Sequence, residues 1–328
     1  PHGVTAAQVG AVPTSRTVNG KALSSDITLT AGDVGAGPGK RTARFTVGTS
    51  AAGWTSADCD YLCDGTADDV EINAAIQALP STGGEIVILD GMYNITATIA
   101  MNKDDVKLSG NGNATVLKRM WNSSTNAGVI TVTATNGGCC IENLCVDGNK
   151  ATYDTNNNCG IYISGSNNNT ITGNTCINNG QMGIYLYNSS DNTITDNTCN
   201  NNDNNGIYLY NICKNNTITG NTCDYNAKFG ILVGGGHSNT ITGNTCNRNT
   251  NHGINLGSGS NRNTITGNTY NYNTGSGIYL FGSDGNTITG NTCCNNTDHG
   301  IYLHGNNSNY TITGNTCNSN GDRGIHIN

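Results

Sequence analysis

Few side chains in this 328-residue chain can do chemistry, and those that can recur at fixed intervals. The regular part of the sequence holds no glutamate, and its acids are Asp191, Asp196, Asp203, Asp224, Asp284, Asp298 and Asp322. Hydrolysis of a glycosidic bond needs two carboxyl groups about 5 to 9.5 Å apart, and elimination needs a base with cationic help. Asp298 and Asp322 hold equivalent positions one repeat apart, with His299 and Arg323 beside them, and form one candidate catalytic pair. Asp147, Asp154 and Asp203 form a second candidate set near the longest insertion in the repeats. Both sets read equally as solvated charge networks on a surface.

Aromatic residues are better represented. Tyr162, Tyr185 and Tyr208 stand at equivalent positions in successive repeats, Tyr187 and Tyr210 lie two residues on, and Tyr279, Phe281 and Tyr302 resume these columns later. Leu232, Gly234, Asn255 and Gly257 fill the interval, which predicts a shallow dip lined mainly by small residues. Tyr153, Tyr185, Tyr187, Tyr208, Tyr210, Tyr279, Phe281 and Tyr302 are therefore candidate glycan-binding residues, because exposed rings stack on sugar faces. A subunit interface, or the plain strand propensity of tyrosine, would produce the same columns.

These positions are set by a repeat. The phrase Asn169-Thr170-Ile171-Thr172-Gly173-Asn174-Thr175-Cys176 returns six more times, with its Ile at Ile194, Ile218, Ile241, Ile265, Ile288 and Ile312, spaced alternately by 23 and 24 residues. A second phrase, Gly-Ile-Tyr-Leu or a relative, follows in step at Gly183, Gly206, Gly230, Gly253, Gly277, Gly300 and Gly324. A fixed period of this length marks a solenoid. Three short strands per period, separated by Asn, Gly and Ser, are what a single-stranded parallel β-helix needs, each strand pairing with its copy about 4.8 Å along the axis. Alternation then points Ile171, Cys176, Ile184 and Leu186 inward and Thr170, Thr172, Tyr185 and Tyr187 outward. Two Asn columns, starting at Asn174 and Asn179, suit turns with left-handed backbone and amides bonded between coils. The unbroken Thr-x-Thr columns resemble the flat surfaces of β-helical ice-binding proteins, and Asn-Thr-Ile repeats also occur in periplasmic copper-maturation proteins and cell-surface solenoids. Threonine is in any case a good strand former.

With 45 Gly, 4 Pro and only 11% charged residues, the composition fits a solenoid better than an ordinary globular domain. A formal charge of −7 excludes the basic footprint of a nucleic-acid binder, and no apolar run is long enough to enter a membrane. Of the 14 cysteines, Cys176, Cys199, Cys223, Cys246, Cys293 and Cys317 form one inward column with Tyr270 in the remaining place. In-register parallel side chains meet disulfide torsions poorly, so a buried free-thiol ladder is expected, consistent with synthesis in a reducing cytoplasm. No Cys-x-x-Cys pair occurs in the coils, and neither a metal nor a cofactor is expected.

Residues 1–45 differ, being rich in Gly, Ala, Val and Thr. Thr5-Ala6-Ala7-Gln8-Val9-Gly10-Ala11 returns as Thr30-Ala31-Gly32-Asp33-Val34-Gly35-Ala36, and a hairpin-like Asn19-Gly20 lies between. The run Val18–Ala36 resembles the small repeat of side tail fibres of bacteriophages and related contractile particles. That family is homotrimeric and binds receptors on the host surface. Residues 46–100 open the solenoid: Asp68–Leu79 reads as an amphipathic helix with Asp68 as N-cap, Glu71 closing a capping box and Pro80 beyond its end. Followed by Gly83-Gly84-Glu85-Ile86-Val87-Ile88-Leu89-Asp90-Gly91, it resembles the opening of the pectate-lyase-like right-handed β-helix family, which implies that the helix caps the first coil. Nearby Asp58, Asp60, Asp64, Asp68 and Asp69 offer calcium chemistry or, more simply, turn and helix-end chemistry.

Residues 101–328 form the β-helix proper, starting with irregular coils. The eight extra residues between Cys145 and Gly160, around Lys150, Tyr153 and Asp154, are its largest insertion. The chain stops at Asn328 directly after a strand, an edge that further chain or a partner is expected to cover. Taken with the resemblances, the expectation is a homotrimeric phage or phage-like tail fibre that adheres to a bacterial surface polysaccharide and joins other tail proteins through its N-terminus. Its place is then a virion tail or extracellular particle. A tailspike depolymerase, lyase or hydrolase, is the alternative. A structural or ice-binding solenoid is the other.

Overall fold

Strands whose inward residues are Ile, Leu and Cys must bury one face and pair both edges, and stacking each on its own copy does both at once. The computed structural model describes residues 17–18, 21–22, 43–135, 137–155, 157–305 and 308–328, in two units, Pro1–Thr42 and Ala43–Asn328. In the first unit Thr17–Val18 pairs antiparallel with Lys21–Ala22, the strands flanking Asn19-Gly20. The rest of the fibre-like segment, with its Thr5 and Thr30 repeats, lies outside the described residues.

The second unit is a stack of coils, each with three parallel-paired segments. One sheet runs from Thr311–Thr313 through the successive Thr-Ile-Thr strands to Thr170–Thr172, then to Cys140–Asp147, Val106–Arg119, Gly84–Ile88 and Ala43–Thr49. Another runs from Ile325–Ile327 through the Ile-Tyr-Leu strands to Ile99–Met101. The Asn-Thr-Cys segment is a strand only at Thr175–Ile177, and elsewhere its threonines pair one by one, Thr198 with Thr222 and onward to Thr316. Register sets like on like: Ile171 lies against Ile194, and Tyr185 against Tyr208.

The interior is filled by these columns. Ile171, Ile194, Ile218, Leu186 and Leu209 are fully buried, as are Cys176, Cys199, Cys223, Cys246 and Cys293, and all 14 cysteines are free thiols. Burial and a neighbouring thiol push Cys199 and Cys223 well above the ordinary thiol range, and the Cys199 thiol and burial do the same for Cys176, so these thiols stay protonated. The glycine before each Ile-Tyr-Leu strand is there for close approach. A methyl group at Gly206 would sit 2.7 Å from the Gly230 carbonyl and 2.8 Å from Cys223 Cβ.

Three Asn columns, one more than the sequence suggested, hold the corners: those of Asn169, Asn174 and Asn179, 1% exposed or less up to Asn296. Asn221 is representative. Its Oδ1 accepts from the Asn197 backbone N–H and Nδ2, both at 3.0 Å, and its Nδ2 donates to Asn244 Oδ1 and the Ile194 carbonyl, both at 2.9 Å. The expectation that these asparagines adopt left-handed backbone is corrected. The left-handed residue is the one just before each, such as Asn168 (φ 59°), Gly173 (φ 64°) and Asn178 (φ 54°). It turns the chain so that the following amide points inward.

The helix is Asp69–Ala78, with Ile72, Ala75 and Ile76 buried against Ala43–Thr49, Tyr61–Cys63 and Ile99–Met101. The capping box is not formed: Asp68 has helical backbone and its side chain makes no cap bond. Its carboxylate instead accepts from Gly65 N (2.8 Å) and Asn94 N (2.7 Å), while Asp69 accepts from Thr96 N (2.6 Å). Backbone amides at the first coil, one in a strand and two in bends, compete successfully for these carboxylates.

Two stability outcomes are expected. Replacing Asn221 by Ala strands two buried N–H groups and a carbonyl, and should cost about 2–5 kcal/mol in urea unfolding. The buried Tyr270 hydroxyl has no hydrogen-bond partner, so Tyr270→Phe should leave stability unchanged or raise it by about 1 kcal/mol.

Candidate functional site

The sheet that carries the Ile-Tyr-Leu strands brings the aromatic candidates together in two groups. In the first, Tyr162, Tyr185 and Tyr208 stack with centroids 5.0 and 5.2 Å apart and planes within 16°. Stacking uses the ring faces, and Met182 and Cys159 pack alongside. Tyr185 is consequently 3% exposed, which corrects its place among the glycan-binding candidates: it has no free face for a sugar. Tyr210 is 45% exposed at the margin, 6.0 Å from Tyr187. The dip beside it is partly filled, because the Tyr208 hydroxyl and the Tyr210 ring edge lean to within 3.4 Å of where a side chain at Gly234 would begin.

The second group is a column of mixed rings. Phe229, His252 and Tyr279 stack at 5.6 and 4.5 Å with planes within 7°. Tyr302 meets Tyr279 edge-on and stacks on His326, and the exposed Phe281 stacks on His304 at 5.6 Å. Burial between its neighbours lowers His252 to about 4, and the Ser276 N–H donates to its Nδ1 at 2.9 Å.

The acidic candidates fall in two places. Asp298 and Asp322 do come together, flanking the buried His299: Asp298 Oδ1 is 3.4 Å from Nε2 and Asp322 Oδ2 is 3.5 Å from Nδ1. One oxygen from each lies within 4.8 Å of the other and of the ring. The Arg323 N–H donates to His299 Nδ1 at 3.2 Å, so in the neutral ring Nε2 carries the proton and faces His326 Nδ1 at 3.2 Å. At the insertion, Lys150 Nζ reaches Asp203 Oδ1 (2.7 Å) and the Asn201 carbonyl (2.6 Å). Asp147 binds Asn149 N and Asn178 Nδ2, beside a cavity of about 270 Å³ lined by Asp147, Asn149, Lys150, Ala151 and Asn178. Asp154 is exposed, and Tyr153, half-buried, uses its carbonyl to accept from Asn158 Nδ2.

Asn158 is itself fixed by the fully buried Arg119, whose guanidinium also donates to the Ala127 and Cys159 carbonyls and lies 3.8 Å over the Trp121 ring. Near the helix, the acids serve local N–H groups rather than one centre. Asp58 accepts from Thr55 and Asp60 from Thr46, which holds both carboxyls below the usual range, and Asp64 accepts from Thr66. Cys63, Asp68 and Glu71 do offer atoms within 4.8 Å of one another, but both Asp68 oxygens are already engaged.

Sequence reasoning missed one cluster. Tyr225, Arg248 and Tyr272 stand at the same corner of three successive coils, and the Arg248 cation lies over both rings, 5.6 and 5.2 Å from their centroids. The signal was present: in other coils this corner carries Asn178, Asn201, Asn295 or Ser319.

The sequence profile of the right handed beta helix region family matches residues 104–269, a little over half of the chain, and the chain belongs to that family. Residues 212–328 also match the profile of a periplasmic copper-binding protein, NosD. No curated protein sequence matches significantly. Among solved structures, ORF18 of Geobacillus virus E2 is similar at 17% identity and a TM-score of 0.64, over 80% of this chain and 59% of its own. The Dettilon tailspike protein is similar at 20% identity and a TM-score of 0.64, over 77% and 52%. The A-module of the Azotobacter vinelandii mannuronan C-5 epimerase AlgE4 is similar at 18% identity and a TM-score of 0.51, over 79% and 95%. These likenesses establish a shared fold, the tailspike-like right-handed parallel β-helix. The chain spans between half and three fifths of the two viral proteins. Among the described residues no helix is long and apolar enough to cross a membrane.

His252 sets a pH window. Its lowered proton affinity makes the folded state bind fewer protons than the unfolded chain, so its contribution is complete above about pH 6.5 and is lost as pH falls toward about 4. Thermal unfolding followed across this range should show a decline that His252→Phe, which keeps a ring in the stack, reduces.

Proposed function

We propose that this chain is the β-helical part of a tail fibre or tailspike of a phage or phage-like particle, and that it adheres to a bacterial surface polysaccharide as a homotrimer. The observation that carries the reading is the set of exposed rings, Tyr210, Phe281, Tyr225 and Tyr272, held on a rigid coil stack of tailspike-like fold. The mixture suits sugar recognition, in which apolar ring faces and polar hydroxyls are both used. Tyr187, Tyr208, Tyr279 and Tyr302, half-buried beside them, would set the rims, and Tyr153 the insertion side. The columns of stacked rings are also a surface on which two more copies could pack. Attachment to other tail proteins falls to the N-terminal segment on its resemblance to side tail fibres, and a virion tail or extracellular particle is the location that goes with this reading.

A second reading has a specific observation behind it. The approach of Asp298 to Asp322 is close enough for a carboxyl pair of a retaining glycosidase, which would make the chain a depolymerase of the same polysaccharide. His299 between them argues against that reading, since its ring fills the gap that a sugar would need. The Thr columns are regular and partly exposed, and suit an ice-binding or structural solenoid only if the chain is monomeric.

Adhesion is tested with purified surface polysaccharides of candidate hosts. Tyr210→Ser and Phe281→Ser should each weaken binding at least tenfold without changing the unfolding temperature, and light scattering should give three times the monomer mass. Full binding by both variants, or a stable monomer, would contradict the proposal.

A further inference from the structure

The corner occupied by Tyr225, Arg248 and Tyr272 is the least explained feature of the coil stack. Its backbone is left-handed at all three residues, with φ of 57°, 54° and 59°. That conformation suits Asn, which fills the corner at Asn178, Asn201 and Asn295, and disfavours bulky side chains. Three consecutive departures from the favoured residue are costs that burial does not offset, because both tyrosines are 54% exposed and Arg248 is exposed. Strain kept at a surface points to use of that surface.

The chemistry is equally pointed. Arg248 makes no ion pair among the described residues, in a chain whose net charge is −7. The neighbouring carboxylate, Asp224, accepts from the Asn247 N–H at 2.6 Å through Oδ1 and feels the Arg248 charge without forming an ion pair with it. Cation–π contact with two rings holds the guanidinium in place without consuming its N–H donors. The guanidinium thus stands at an exposed corner between two exposed tyrosine rings. Lys228, also exposed and outside every ion pair among the described residues, lies in the same loop as Tyr225. Successive coils are about 4.8 Å apart, close to the length of one sugar in an extended polysaccharide. A glycan lying along the axis would therefore meet Tyr225, Arg248 and Tyr272 with three successive sugars.

We infer that this corner is an oxyanion-reading subsite for an acidic polysaccharide, in which Arg248 takes a carboxylate or phosphate as a forked pair while Tyr225 and Tyr272 bind the flanking sugars. The inference rests on the glycan-adhesion reading and adds the ligand class. It also separates the roles of the two surfaces, with charge read at the corner and apolar sugar faces at the Tyr210 and Phe281 columns.

The test uses the full chain and three probes: hyaluronan for carboxylate, polyglycerol-phosphate teichoic acid for phosphate, and neutral dextran. Variants are Arg248→Asn, Tyr225→Asn and Tyr272→Asn, which install the residue other coils carry at this corner and should leave the unfolding temperature unchanged or raised. Binding of hyaluronan or of teichoic acid that exceeds dextran binding, weakens with salt, and falls at least tenfold in Arg248→Asn supports the inference, and the polymer that binds identifies the oxyanion. The tyrosine variants should each weaken it several-fold. Equal binding by wild type and Arg248→Asn overturns it. Binding of dextran alone also overturns it and leaves glycan adhesion standing, whereas failure of all three probes and of host polysaccharides removes both readings.

Discussion

The structure depends on one interaction, the buried amide ladder. At each corner an asparagine side chain turns into the interior, bonds the backbone and amide of the same residue in the next coil, and takes up carbonyls that the bend leaves free. A buried amide is costly unless every donor and acceptor is met, and only an identical amide about 4.8 Å away meets them all. That requirement holds neighbouring coils in register, so the Ile, Leu and Cys columns follow without a choice of partner. It also explains the period. The three ladders cannot change length, and the alternation between 23 and 24 residues is absorbed in the loop between the Ile-Tyr-Leu and Thr-Ile-Thr strands.

Much of this was legible because the repeat is strict. Period, strand faces, the free-thiol column and the apolar face of the helix follow from counting positions, while the helix's capping role came from the family resemblance; a one-residue slip would have turned every inward Ile outward. What escaped did so for physical reasons. Asn169 heads the most obvious phrase yet was not counted among the Asn columns, because a plain separator and a corner differ only by the left-handed residue before it. Asp68 has the spacing of a capping box, but a tertiary partner, the Asn94 N–H, outcompetes the local one. Tyr185 alternates outward, and outward means exposed only where neighbouring coils do not carry rings large enough to cover it. The Tyr225, Arg248 and Tyr272 cluster was missed because attention to strand columns passes over corners, where any departure from Asn or Gly has to be explained.

A scaffold clamped this way is poor at moving and good at presenting. Chemistry needs groups that converge, whereas side chains on parallel coils point outward in rows, with neighbours spaced by the strand distance. Rows of rings, hydroxyls and isolated cations match a polymer whose own repeat is similar. Convergence occurs at Asp298, His299 and Asp322, where the histidine ring lies between the two acids, and at the insertion, where Asp203 is paired with Lys150. The balance favours adhesion along a surface over catalysis at a point.

The most direct measurement is to incubate the protein with a surface polysaccharide that it retains and to follow both retention and polymer length by size-exclusion chromatography. Retention with the polymer length unchanged after prolonged incubation is the expected result. Progressive shortening of the polymer, abolished by Asp298→Asn, would contradict the account and make the carboxyl pair the centre of the protein's function.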